Sequence, residues 1–176
     1  MSETEIRHYA RGKGFHPQTL ERWLGWDDLA RDSLFRLAAS LRIGENHLRD
    51  LMDWLEEIAL RDQSKIDEVL ADKRINEVES DPRLGRTDKL KRVKEEIRKL
   101  RFPRLAQIED SLRARIQEIK LPPEIRLTVP RGLEGGKLQI ELSVSNPQDF
   151  KRLAGKLAEA ADSNAVCEIF TLLAGK

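Results

Sequence analysis

At Leu121-Pro122-Pro123 the spacing of apolar residues changes from three and four to two, and this divides the chain into two kinds of structure. Upstream, Leu48, Leu51, Met52, Leu55, Ile58 and Ala59 form one stripe, and Leu90, Val93, Ile97 and Leu100 form another. Such spacing places each set on one side of an α-helix. Downstream, Ile125, Leu127 and Val129 alternate with Arg126 and Thr128, and Leu138, Ile140, Leu142 and Val144 alternate with Gln139, Glu141 and Ser143. Two period-two runs joined by residues 130–136 predict a β-hairpin with one apolar face. The expected fold class is mainly α with a small α+β C-terminal part: a helical bundle followed by helix–β-hairpin–helix.

The remaining breaks set the element order. Pro17, after His16, suits the first turn of a short helix over 18–24, because proline has no N–H to leave unsatisfied there. Asp27 or Asp28 can cap the next helix, which carries Leu29, Leu34, Leu37, Ala38 and Leu41 and is broken at Gly44. A short helix is expected around 64–70, and residues 76–85, containing Asp81-Pro82, read as a polar connector. Pro103 interrupts the basic helix, and the apolar phase restarts at Leu105, Ile108, Leu112, Ile116 and Ile119, which predicts two helices or one kinked helix. Asn146-Pro147 starts a helix with Phe150, Leu153, Leu157, Ala160 and Ala161, and Asn164 is expected to cap a last turn. The resulting division is a helical domain over 1–80, basic linker helices over 81–120, and a hairpin with helices over 121–176.

Composition narrows the class. Charged residues make up 36% of the 176, against about 25% in an average globular protein, a surplus that suits amphipathic helices wet on one face. No apolar run approaches the roughly 18 residues of a membrane span, and the polar start 1–14 lacks the apolar stretch of a signal peptide, so a soluble cytoplasmic protein without membrane contact is expected. The 32 basic and 31 acidic residues nearly cancel, but they are segregated. Residues 45–81 hold 12 acidic against 5 basic side chains, a net −7. Residues 83–104 hold 10 basic (Arg83, Arg86, Lys89, Lys91, Arg92, Lys94, Arg98, Lys99, Arg101 and Arg104) against Asp88, Glu95 and Glu96, a net +7. Blocks of opposite sign fit docking on each other, antiparallel self-association, or a basic face for a polyanion.

Two segments have helix-turn-helix spacing. Residues 37–51 place Leu37, Ala38, Leu41, Ile43, Leu48 and Leu51 where two short crossing helices need apolar residues, with Arg42 where glycine is usual. The second helix carries Glu45, Asp50, Asp53, Glu56 and Glu57, carboxylates that phosphate oxygens repel. Residues 9–23 look similar, and their second helix offers Gln18, Thr19 and Arg22 as donors to bases. With the basic helix and the helix–strand–strand–helix tail, this order resembles ParB-type partition proteins over about 34–62 and 104–173. The resemblance implies a DNA-binding middle and a tail that dimerises through its strands, with Ile125, Leu127, Leu138, Ile140 and Leu142 as interface or core. The glycine-arginine nucleotide box of that family has no counterpart here, so no nucleotide is implied.

The residue types of catalysis are poorly arranged. His8, His16 and His47 show no HExxH or i,i+4 pairing for a metal, and the single cysteine, Cys167, excludes an intrachain disulfide or a cysteine-based zinc site. Cys167 beside Val166, Ile169 and Phe170 reads as an inert buried thiol. Residues 132–136 precede no helix and no GK[ST], so they read as a turn and not a phosphate loop. A non-enzyme with no cofactor is expected.

The leading expectation is a homodimer that binds DNA or RNA phosphates through Arg83, Arg86, Lys89, Arg92, Arg98, Lys99, Arg101 and Arg104, with Gln18 and Arg22 as further contacts. The alternative is a protein–protein adaptor or scaffold whose acidic and basic segments dock on each other or on a partner. The two differ in the surface arrangement. Basic side chains gathered on an open face favour nucleic acid, and basic side chains paired to the carboxylates of Asp53, Glu56, Glu57 or Asp62 favour the adaptor.

Overall fold

The computed structural model of the chain describes residues 3–174; the first two residues of the polar start and the last two of the chain lie outside it. The chain is mainly helical, with one two-stranded antiparallel hairpin near its C-terminus. It forms two compact units that divide at Phe102/Pro103. The stretch 81–120, grouped by sequence as linker helices, is thus shared between the units. Its first helix contributes fully buried Val93 and Ile97 to the core of the N-terminal unit, which no solvated linker could do.

The N-terminal unit contains α1 (Glu3–Gly12), α2 (Pro17–Leu24), α3 (Asp28–Leu41), α4 (Glu45–Asp62), α5 (Ile66–Leu70), α6 (Lys73–Ser80) and α7 (Arg86–Arg101). Helix α4 is its centre: Leu48, Leu51, Met52, Leu55 and Ile58 are all buried, and the helix packs on α2, α5 and α7. The helix starts are set by side chains. His16 accepts from Gln18 N–H through Nδ1, Asp27 accepts from Ala30 N–H, and Asp72 accepts from Arg74 N–H. The Asp72 cap opens α6, so the polar connector expected from Asn76 begins with a helix instead. Its Ile75 is buried and Val78 half-buried, an i,i+3 pair too short to show a period.

An aromatic group closes the entry end of this bundle. Trp23 is wholly buried, and Tyr9 meets Phe15, Trp23 and Phe35 edge to face at centroid distances of 5.9, 6.4 and 5.8 Å. The Tyr9 hydroxyl donates at 2.8 Å to the carbonyls of both Ala38 and Ile43, bracketing the turn that ends α3. Burial raises the Tyr9 pKa above its ordinary value of 10.0. At that turn Arg42 stands in the left-handed region, with φ 51° and ψ 48°. Glycine enters this region without steric cost, which is why it usually ends a helix here. Arg42→Gly is therefore expected to stabilise the N-terminal unit by up to about 1 kcal/mol, read as a raised midpoint in urea unfolding.

The C-terminal unit contains α8 (Pro103–Glu118), β1 (Ile125–Thr128), a 3-10 turn (Arg131–Gly136), β2 (Gln139–Leu142), α9 (Pro147–Ala161) and α10 (Asn164–Leu173). The strands pair antiparallel with Ile125 opposite Leu142 and Leu127 opposite Ile140 on one face, and Arg126 opposite Glu141 on the other. Asn146 caps α9 by accepting from Asp149 N–H. Ser163, not Asn164, caps α10, accepting from Val166 N–H. Helix α10 packs on α8 and buries Ala165 and Ile169. Cys167 lies off that face and is exposed, which corrects the expectation of a buried thiol.

Candidate interaction surfaces

The acidic and basic blocks meet inside the N-terminal unit, because α7 lies against α4. Lys94 Nζ donates to Asp50 Oδ2 at 2.7 Å and stands 5.0 Å from the ring centre of Trp54. Arg101 donates to both carboxylate oxygens of Glu57, at 2.8 Å to Oε1, with its guanidinium 5.9 Å from the same ring. Trp54 is therefore flanked by two cations of α7, each also bound to a carboxylate of its own helix α4. Arg61, whose guanidinium is paired to Asp62, also donates at 2.8 Å to the carbonyl of Leu100 near the end of α7.

The other basic candidates are placed as follows. Arg98 pairs with Glu95 at 2.9 Å and Lys99 with Glu96 at 2.8 Å, both along α7 itself. Lys89 donates to the carbonyl of Glu79 at 2.6 Å. Arg83 is bound to Asp81 at 3.0 Å but stays largely exposed. Arg86, Arg92 and Arg104 are exposed, as is Lys91, and Arg86, Lys91 and Arg104 make no ion pair among the described residues. The block is thus divided: the end nearest Phe102 is matched by carboxylates, and the end nearest Gly85 keeps exposed cations. Arg104 belongs to the C-terminal unit.

Asp81 shows how tightly one such pair is held. It ends α6, and the side-chain hydrogen bond from Arg83, followed by that from Arg83 N–H, lowers its pKa from 3.8 to about 2. A carboxylate whose folded pKa is depressed stabilises the fold above its unfolded value, and that contribution is lost as pH falls through the folded one. The side-chain carboxyl carbon resonance of Asp81 is expected to titrate near pH 2, and in Arg83→Ala to return toward 3.8.

The N-terminal helix pair does not present both of its donors. Gln18 is exposed at the start of α2, but Arg22 is held by α4: its guanidinium meets Asp53 at 2.7 Å and Glu56 at 2.6 Å. The hydrogen bond to Glu56 is the largest cause of its raised pKa. Trp26 Nε1 donates to the same Glu56 at 2.8 Å. Thr19 is buried, and its hydroxyl donates to Glu45 Oε1 at 2.6 Å, beside the backbone N–H of His16 at 3.0 Å. These donors, Thr19 first, lower the Glu45 pKa. Three carboxylates of α4 therefore anchor α2 from within. His8, His16 and His47 are exposed, and among the described residues no three His, Cys, Asp or Glu side chains gather to hold a metal ion.

The hairpin offers a different surface. Its apolar face, with Ala154, Leu157, Ala158 and Ala161 of α9 and Val166 and Phe170 of α10, lines a groove of about 460 Å³ that is almost wholly apolar. Ile125 is buried, Leu127, Leu138 and Leu142 are half-buried, and Ile140 is 49% exposed. Phe170 is 51% exposed beside it. The sequence pattern indicated which strand residues share this face but gave no sign that α9 would leave it open.

A second groove, of about 710 Å³, runs between α3, α5 and α6. Reading α6 as a connector concealed it. The signal that could have found it is Asp72 as a cap followed by Ile75 and Val78. No helix among the described residues is long and apolar enough to cross a membrane. No protein-family model, no curated protein and no solved structure matches this chain.

Proposed function

We propose that this protein is a non-enzymatic protein–protein adaptor that self-associates through its C-terminal unit. The observation that carries this reading is the pairing of the basic block with carboxylates of the acidic one, Lys94 on Asp50 and Arg101 on Glu57. Partly exposed pairs like these contribute at most about 1 kcal/mol each to stability. Their larger consequence is electrostatic, since a guanidinium already paired to a carboxylate releases few counterions from a phosphate backbone.

Self-association has its own support. The C-terminal unit buries few large side chains (Leu112, Ile125, Leu153 and Ile169) while Ile140, Val144, Phe150 and Phe170 remain exposed. A unit of that size rarely holds itself together with more than about 3–5 kcal/mol from one small core. Pairing with a second copy covers the open strand edge and the apolar face together. The same behaviour is what the resemblance to ParB-type partition proteins implies for this tail.

The second reading, weak phosphate binding, is favoured by one observation: Arg86, Lys91, Arg92 and Arg104 remain exposed. Fluorescence anisotropy of a random labelled duplex at about 50 and 200 mM salt separates the two. The adaptor reading expects little binding at either salt. It also expects charge reversal of Arg98, Lys99 and Arg101 to lower the melting temperature without changing duplex affinity. Tight binding at the lower salt that the charge reversal abolishes would overturn it. Light scattering at tens of micromolar is expected to give a dimer, and a monomer would refute the self-association.

A further inference from the structure

The groove between α3, α5 and α6 has features that packing of the N-terminal unit does not explain. Its floor is apolar, made by buried Leu37, Leu70 and Ile75. At its rim Leu29 is 60% exposed, one position off the buried stripe of Ala30, Leu34, Leu37, Ala38 and Leu41, and so presents an apolar side chain to solvent. The charges around it are uneven: Asp32, Asp67 and Glu79 line the groove against the single guanidinium of Arg36, which donates to Ser33. Asp67 Oδ1 is buried without a hydrogen-bond partner. A carboxylate oxygen in that position lacks the donor that offsets its removal from water.

We infer that this groove is a docking site for an amphipathic helix of a partner protein, one with Leu, Ile or Met on one side and Lys or Arg flanking them. The inference rests on the adaptor reading and names the chemistry of one partner. The floor and Leu29 fit apolar anchors at i, i+3 or i+4, and i+7, the spacing by which a helix presents one face to a groove. The excess of carboxylates selects cations beside those anchors and rejects an acidic helix, because a like charge at a desolvated rim costs more than an opposite one gains. The lining on α3 runs from Leu29 to Leu37, about 12 Å or two helical turns, which matches the span of anchors at i and i+7.

The test uses the full chain as bait for a displayed library of random 16-residue peptides, with Leu29→Ser and Glu79→Lys as counter-baits. Both substitutions lie at exposed or rim positions, and far-UV circular dichroism and melting temperature establish that each variant is folded. The expected result is enrichment of peptides with apolar residues at helical spacing beside Lys or Arg. A synthetic peptide of the enriched sequence is expected to bind at least tenfold more weakly to either variant, and more weakly as salt rises from 50 to 200 mM. Enriched peptides that bind both variants as tightly as the parent would overturn the groove and leave the adaptor reading standing. Enrichment of acidic peptides, or of none, would also overturn it. The adaptor reading itself fails only on tight, charge-dependent duplex binding, which this selection does not measure.

Discussion

Replacing Trp23 by alanine is expected to lower the melting temperature of the N-terminal unit by roughly 15–30 °C, following a loss of about 3–5 kcal/mol. The indole is wholly buried, with Phe35 tilted against it at 6.3 Å and Tyr9 edge-on at 6.4 Å. Deleting it leaves a cavity that three helices border, and helices held by caps and ion pairs close such a space only in part. The size of the effect follows from the residue's place. Tyr9 reaches past it to hold the carbonyls of Ala38 and Ile43, so loss of the ring loosens the turn between α3 and α4 as well. Trp23→Phe supplies the control. Trp23 Nε1 is buried without a hydrogen-bond partner, so phenylalanine keeps most of the ring contact and removes a donor that costs free energy where it stands. Its loss is expected to be less than half that of alanine. Calorimetry on the two variants decides the matter, and equal losses would show that the second ring of the indole carries the packing alone.

The part of this fold that was legible in the sequence is the part in which burial has a period. Leu48, Leu51, Met52, Leu55 and Ile58 were marked as a buried stripe and are buried. Ile125, Leu127, Ile140 and Leu142 share one face of the hairpin, as alternation requires. Short elements escaped because they lack room for a period: α6 is eight residues long and buries only Ile75. Leu29 and Cys167 show the converse failure. Each is apolar or thiol-bearing beside buried neighbours, and each is exposed through the phase of its own helix: Ala30, not Leu29, continues the buried stripe of α3, and Ala165 and Ile169, not Cys167, are buried on α10.

Charge was legible as composition but not as pairing. Net −7 and +7 in adjoining stretches said that the blocks could attract, while the same numbers fitted an open basic face. Which cations are paired within the fold follows from phase. Lys94 is one residue from buried Val93, and Arg101 is four residues, about one turn, from buried Ile97, so both flank the stripe by which α7 meets α4. Arg86, Lys91 and Arg92 lie in the N-terminal half of the helix and are paired to no carboxylate of α4 among the described residues. A helix with a net charge can therefore be matched by carboxylates toward one end and remain cationic toward the other.

Gln139→Cys, in a Cys167→Ser background, is expected to form a covalent dimer on mild oxidation, whereas Lys137→Cys or Glu141→Cys alone is expected to stay uncrosslinked. The hairpin's hydrogen bonds impose this pattern. Ser143 N–H donates to the carbonyl of Glu124 at 2.9 Å, and with the observed register this turns the amides of Gln139 and Glu141 toward β1. Leu138, Ile140 and Leu142 then turn their amides to the open edge, where no strand pairs among the described residues. The outer edge of β1 is bracketed by Pro122, Pro123 and Pro130, residues that blunt an edge, and β2 has no such guard before Pro147. Lys137 is already extended, with φ −108° and ψ 138°, so the pairing can begin there. Among antiparallel registers, a twofold axis at Glu141 sets two carboxylates opposite each other and is disfavoured. An axis at Gln139 sets Lys137 opposite the second copy's Glu141, continuing the row from Arg126, and sets Leu138 opposite its Ile140 on the apolar face. In that register the two Gln139 Cα atoms form a non-hydrogen-bonded pair about 4.5 Å apart, within disulfide reach. Two copies of Lys137, four residues out of register, are roughly 14 Å apart and beyond it. A mixture of the Lys137→Cys and Glu141→Cys chains is accordingly expected to crosslink where neither does alone. Ile140→Lys, at a half-exposed edge position, is expected to abolish every one of these crosslinks while the hairpin persists. Crosslinking of Glu141→Cys to itself would move the axis and overturn the register, and the absence of any crosslink at the three positions would remove β2 from the interface.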